Sequence, residues 1–167
     1  MTRLLVPMSM LSLLSIGAIF GFFYAWVCST MWGLDAADPR VSIAAMKAMN
    51  ASVRNAVFFP AFFLTPIILA TTAGIAALQR KKRAAALFAA SAALYVAGAL
   101  LVTATINVPM NEALAEIAVP TDFGAAQRVW QDYSAPWQFW NTLRTVVSGV
   151  CLLLTGLAIQ SLSTRTA

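Results

Sequence analysis

The stretch Ala84–Ile106, "AAALFAASAALYVAGALLVTATI", holds no charged residue, and the next residues read "NVPMNEAL" (Asn107–Leu114). A helix rises about 1.5 Å per residue, so a run of this length crosses roughly 30 Å of hydrocarbon. It then delivers two amides, a proline and a carboxylate to the far boundary. Three more runs have the same apolar character, at about 8–31, 56–78 and 142–162. In lipid each backbone N–H and C=O must be satisfied internally, so these runs predict helices. The expected fold is all-α: one membrane domain over residues 1–167, a four-helix bundle with short extra helices in two connections.

Composition supports this reading. Of the 167 residues, 60% are hydrophobic and 10% charged, whereas a soluble domain carries about a quarter charged residues. Lipid is the solvent that suits so much apolar surface, and no length remains for a separate soluble catalytic domain. The chain has no histidine, so imidazole is unavailable as metal ligand, haem ligand or proton shuttle. This disfavours a haem or non-haem iron centre, whose usual ligand sets need imidazole. Cys28 and Cys151 lie in apolar runs at different depths, which disfavours a disulfide and leaves both as small buried residues. Arg3 before an apolar run resembles a secretion signal. The run continues through Phe22, Phe23, Tyr24 and Trp26 without a small-residue cleavage site, so the segment is expected to remain as the first span.

The net charge of +5 is unevenly distributed. Arg3, Arg80-Lys81-Lys82-Arg83 and Arg165 share one side of a four-span chain, while all six acidic residues fall on the other. The positive-inside rule makes the basic side cytoplasmic, with both termini there. The expected location is a plasma membrane of the bacterial inner type, with the polar connections outside. The basic cluster reads as a topology signal and a contact for the lipid bilayer, not as a nucleic-acid surface.

The outer connections, about 32–55 and 107–141, carry their own pattern. Ser42–Asn55 is predicted as an amphipathic helix with Ile43, Met46 and Val53 on one face. Thr121–Tyr133 is predicted as a second short helix capped by Asp122, with Pro136 punctuating the start of the last span. Polar side chains collect at this depth. Asn107 and Asn111 are four apart, as are Asn50 and Arg54; Trp137, Asn141 and Arg144 follow i, i+4, i+7 spacing, with Trp140 alongside. Tyr24 and Trp26 join them from the first span, and Glu112 follows Asn111.

Each set also has a plain structural reading. The tryptophans suit an interfacial belt, the asparagines suit capping or interhelical bonds, and Arg144 suits snorkelling to lipid phosphates. Pro60 and Pro66 suit a kink satisfied by neighbouring helices. Their conjunction at one depth, from three segments, points instead to an apolar pocket with convergent polar groups. Gly17, Gly21 and the alanine-rich third span permit close approach of helices, within the bundle or in a homo-oligomer. Neither an inverted repeat nor a charged path marks a transporter.

The chain resembles the anthrone-oxygenase-like family of small four-helix membrane proteins. The likeness rests on "GFFYAW" (Gly21–Trp26), "AAMKAMNASVRN" (Ala44–Asn55), Thr65-Pro66, "NVPMNEAL", and the tryptophans, tyrosine and "WN.LR" pattern between Trp130 and Arg144. It implies oxidation of an anthrone to an anthraquinone by dioxygen, without a recognised metal or organic cofactor. On that expectation Glu112, its pKa raised by partial burial, is the base. Asn111, Asn141 and Arg144 hydrogen-bond the developing enolate, and Trp137 and Trp140 stack on a small hydrophobic aromatic substrate. Asn107, Asn50, Arg54, Tyr24 and Trp26 complete the binding site. The alternatives are that Glu112 only pairs with Arg144 or Arg54, and that the protein holds a lipid, quinone or similar flat ligand without turnover.

Overall fold

The structure is a computed structural model describing residues 2–163, with side chains described for residues 4–162. Arg165 and the side chain of Arg3, two of the basic residues expected on the cytoplasmic side, lie outside the described residues. Among the described residues, seven α-helices follow in order: α1 (Thr2–Ala25), α2 (Met31–Asp35), α3 (Pro39–Ser52), α4 (Phe58–Leu78), α5 (Lys82–Tyr95), α6 (Val108–Glu116) and α7 (Phe123–Ser163). Three π-helical turns interrupt them, at Trp26–Thr30, Val96–Leu100 and Thr103–Asn107.

Four continuous helical stretches are long and apolar enough to cross a membrane: Leu4–Asp35, Phe58–Leu78, Lys82–Glu116 and Phe123–Leu162. The protein is an integral membrane four-helix bundle. Its helices sit in a ring, each packed on two neighbours, in the order α1, α4, α5, α7 and back to α1. Ile67, Val146 and Leu153, each more than half exposed, face outward, as helices solvated by lipid require.

Small residues and hydroxyls knit the half near the basic turn. Ala73, Ala76, Ala84, Ala92 and Ala158 are buried around Leu69 and Phe88. Ser12 and Thr72 hydroxyls meet at 2.9 Å, and Ser91 donates to the Cys151 carbonyl at 3.1 Å. Such interhelical bonds contribute about 0.6–2 kcal/mol each in lipid. Both cysteines are free. Cys151 is buried as expected, but Cys28 is exposed, because the π-turn that carries it has no buried residue.

Pro66 removes the N–H that would donate to the Phe62 carbonyl, and the Tyr95 hydroxyl donates there instead, at 2.9 Å. The carbonyl freed by Pro66 is thus satisfied by a neighbouring helix, as the sequence suggests. Pro136 behaves differently from its expected role. It lies inside one continuous 41-residue α7, so the predicted short helix and the fourth span are a single element. Pro136 and Asp132 both lie on the exposed face. Asp122 caps this helix as expected, accepting from the Ala125 N–H at 2.7 Å.

The end opposite the basic turn is closed by α3, whose Ile43 and Met46 cluster with Trp130, Tyr133 and Trp137 of α7, while Ser42 Oγ donates to the Leu34 carbonyl at 2.6 Å. Lys47 donates to the Ile117 carbonyl at 2.9 Å and Arg40 to that of Thr121 at 3.2 Å, tying α3 to the connection before α7. Asp35 fastens the first span to α7. Its carboxylate accepts from Trp130 Nε1 at 2.9 Å, Ser134 Oγ at 2.7 Å and Gln138 Nε2 at 2.8 Å.

Candidate functional site

Between the first span, α3, α4, the third span and α7 lies a cavity of about 330 Å³. Phe22, Phe23, Phe58, Phe59, Phe62, Phe63 and Trp137 form its aromatic walls; Asn50, Arg54, Thr103, Asn107, Asn111, Glu112, Asn141 and Arg144 supply its polar groups. The volume lies within the range of small-molecule sites, which are mostly apolar with a few placed polar groups.

The polar groups come from helical registers that the π-turns adjust. Thr103 and Asn107 begin and end one π-turn, and both face the cavity. The helix continues through Pro109 at the first turn of α6, where a missing N–H is tolerated. Asn111 therefore reaches α7. Its Oδ1 accepts from Tyr133 Oη at 2.8 Å and from Trp137 Nε1 at 2.9 Å. Asn50 Nδ2 in turn donates to Tyr133 Oη at 3.3 Å. Both partners of Asn111 Oδ1 are donors, which fixes the amide orientation and leaves Nδ2 as the donor end of a residue that lines the cavity.

Arg144 is only 5% exposed, so it does not snorkel to lipid phosphates. It donates to Thr103 Oγ1 and to Asn141 Oδ1, each at 3.0 Å. Asn141 Nδ2 donates to the Phe23 carbonyl at 3.1 Å. Asn141 thus ties the Arg144 guanidinium to the first span, and its amide keeps a second N–H beyond this bond. The guanidinium carbon stands 4.6 Å from the Phe23 ring centroid and 5.6 Å from that of Trp137, a cation–π setting. Among the described residues, three buried side-chain polar atoms have no protein partner: Arg144 Nε and both side-chain heteroatoms of Asn107. Asn107 is 1% exposed.

Glu112 departs from its expected setting. It sits at the rim, paired with Arg54 at 3.2 Å, and its side chain is 61% exposed. The expected partial burial is absent, because α6 turns this residue toward solvent while Leu114 points inward. The ion pair chooses Arg54 over Arg144, and exposed pairs of this kind contribute little to stability.

Of the residues singled out from sequence, Asn107, Asn111, Glu112, Asn141, Arg144, Trp137, Asn50, Arg54 and Trp26 line this one cavity. Trp137 is buried, with its ring 5.1 Å from Trp26, so it is not a lipid-facing belt residue. Tyr24 and Trp140 fall outside. Tyr24 is half-exposed and stacked on Phe20, and Trp140 packs edge-on to Phe139. Thr103 and Tyr133 were not foreseen. The i, i+4 spacing of Thr103 to Asn107 and of Tyr133 to Trp137 is the signal that could have found them. Among the described residues, no three of His, Cys, Asp and Glu lie close enough to hold a metal ion.

A family model described as anthrone oxygenase matches residues 52–154. The chain belongs to the anthrone oxygenase family. The matched residues include every polar group of the cavity except Asn50, which comes from α3 before the matched segment. No curated protein and no solved structure matches the chain.

Proposed function

We propose that this protein is a membrane-embedded, cofactor-independent oxygenase acting on an anthrone-like or other flat aromatic substrate. The observation that carries the reading is the convergence of aromatic walls and placed polar donors on one cavity in a chain of this family. A C–H flanked by two rings and opposite a ketone loses a proton to give a stabilised carbanion, whose charge rests on the ketone oxygen. Asn111 Nδ2 and Arg144 serve as donors to that oxygen, in an apolar setting where such bonds count for most. Asn141 keeps Arg144 in place. Glu112 at the rim takes the proton. The carbanion passes an electron to dioxygen, and recombination forms a hydroperoxide at the same carbon. Loss of water then leaves the quinone, with one oxygen atom in the new carbonyl and the other in the water. The polar end faces outward from the membrane, and substrate and dioxygen reach the cavity from its mouth or from lipid.

The test is oxygen uptake by purified protein supplied with an anthrone in air. Quinone should form faster than the spontaneous reaction, and Glu112→Gln should slow it by about 100-fold. Turnover no faster than in protein-free micelles would remove the oxygenase reading. A second reading is favoured by the exposure of Glu112, which leaves the depth of the cavity without a carboxylate base. In it, the protein holds a quinone or similar flat ligand without turnover. Ligand then co-purifies, and binding is indifferent to dioxygen.

A further inference from the structure

The cavity carries a positive charge with no matching negative one. Arg144 is buried, and its hydrogen bonds go to two neutral groups, Thr103 and Asn141. The carboxylate at the cavity, Glu112, is committed to Arg54 at the rim. The two ion pairs found among the described residues, Arg54–Glu112 and Arg40–Asp38, both omit Arg144. The other titratable groups acting on it are neutral: Tyr133 donates within the Asn111 ladder, and Tyr95 donates to the Phe62 carbonyl. A buried cation without a counter-ion is costly, and within membrane segments ionisable residues mark ligand paths. Beside it, Asn107 has two buried heteroatoms and no partner for either.

We infer that the ligand of this cavity is a flat weak acid, a phenol or enol, seated as its oxyanion with Arg144 as counter-charge. The inference rests on this cavity being the substrate site, and it adds the substrate's acid class and bound charge state. Asn107 and Asn111 contribute neutral donors; Asn141 and Thr103 are positioning residues that hold the guanidinium. The aromatic walls favour an anion delocalised over rings, which loses less hydration on entering than a compact one. The proton departs to water or to Glu112 as the ligand passes the rim. Two effects oppose each other here. Burial alone raises the pKa of a phenol, whereas a cation within a few ångströms lowers it. The sign of the shift therefore reports which one dominates.

The experiment uses 4-nitro-1-naphthol, a two-ring phenol whose visible band moves on ionisation and which needs no dioxygen to report. Full-length protein in nanodiscs is titrated with pH against empty nanodiscs. The bound phenol should ionise about 1–3 units lower on the protein. Arg144→Met should reverse the sign. If that variant does not fold, Asn107→Leu and Thr103→Val should each shrink the shift while helicity is unchanged. Competition by 2-naphthoate would place a carboxylate at the same cation; equal competition by neutral 1-nitronaphthalene would overturn the inference. Binding of the neutral phenol, or no binding to the wild-type protein, would overturn it too. Oxygen uptake without ionised binding defeats this inference alone, and ionised binding without uptake from any anthrone defeats the oxygenase reading alone.

Discussion

The Tyr95–Phe62 bond should be worth most where Pro66 is present and little where it is not. Tyr95 is fully buried, and its hydroxyl donates at 2.9 Å to the carbonyl that Pro66 deprives of a helical N–H. Tyr95→Phe keeps the ring, so no cavity opens, but it leaves that carbonyl buried beside Phe62, itself 3% exposed. The hydroxyl of Thr65, on the same helix, already donates to the Ala61 carbonyl at 2.6 Å. Interhelical bonds in lipid average about 0.6 kcal/mol when broken, with model peptides reaching 1–2 kcal/mol. An orphaned buried carbonyl belongs at the upper end, so Tyr95→Phe is expected to cost about 1–2 kcal/mol. Pro66→Ala restores an N–H to the same carbonyl. In that background Tyr95→Phe should cost under about 0.5 kcal/mol, a coupling of roughly 1 kcal/mol in a double-mutant cycle. Equilibrium unfolding in mixed dodecyl maltoside and SDS micelles gives all four free energies. Equal costs in both backgrounds would show that the hydroxyl does not substitute for the missing N–H.

Two glycines in the spans should respond oppositely. A Cβ at Gly98 would stand 2.8 Å from both methyls of Val147, a β-branched side chain that cannot swing away, so Gly98→Ala should destabilise by about 1–3 kcal/mol. Gly74→Ala meets nothing within 4 Å and should stabilise by about 0.5–1 kcal/mol through helix propensity; the same unfolding assay ranks the pair. At the start of α3, the Arg40 side chain and then its backbone N–H hold the Asp38 carboxyl at about 2, below its ordinary 3.8. A depressed folded pKa gives stability that is complete above the unfolded value and lost as pH falls through the folded one. Amide-exchange protection in α3 should therefore stay constant from pH 7 to about 4 and decline between about 4 and 2. A decline beginning near pH 6 would assign the cap to another group.

The sequence displays depth well and rotation poorly, and the split follows from the physics. Depth is written in uncharged runs, prolines and basic turns, because burying a charge or an unpaired backbone group in hydrocarbon is costly enough to be visible. Hence Asn107, Asn111, Asn141 and Arg144 could be placed at one level. Which way a side chain points depends on the helix phase, and each residue turns it by about 100°. Three π-turns lie in the first and third spans, and each shifts that phase without leaving a mark in apolar composition. Tyr24 and Phe23 show the consequence. Adjacent in a motif that resembles the family, they divide: Phe23 backs the guanidinium from inside, and Tyr24 stacks on Phe20 at the outer surface. Partner choice was equally hidden. Glu112 had two arginines at similar depth, and only the direction of α6 decides that it neutralises Arg54. That leaves Arg144 buried without a carboxylate, and makes the charge of the ligand, more than the strength of any protein base, the quantity on which the chemistry of this cavity turns.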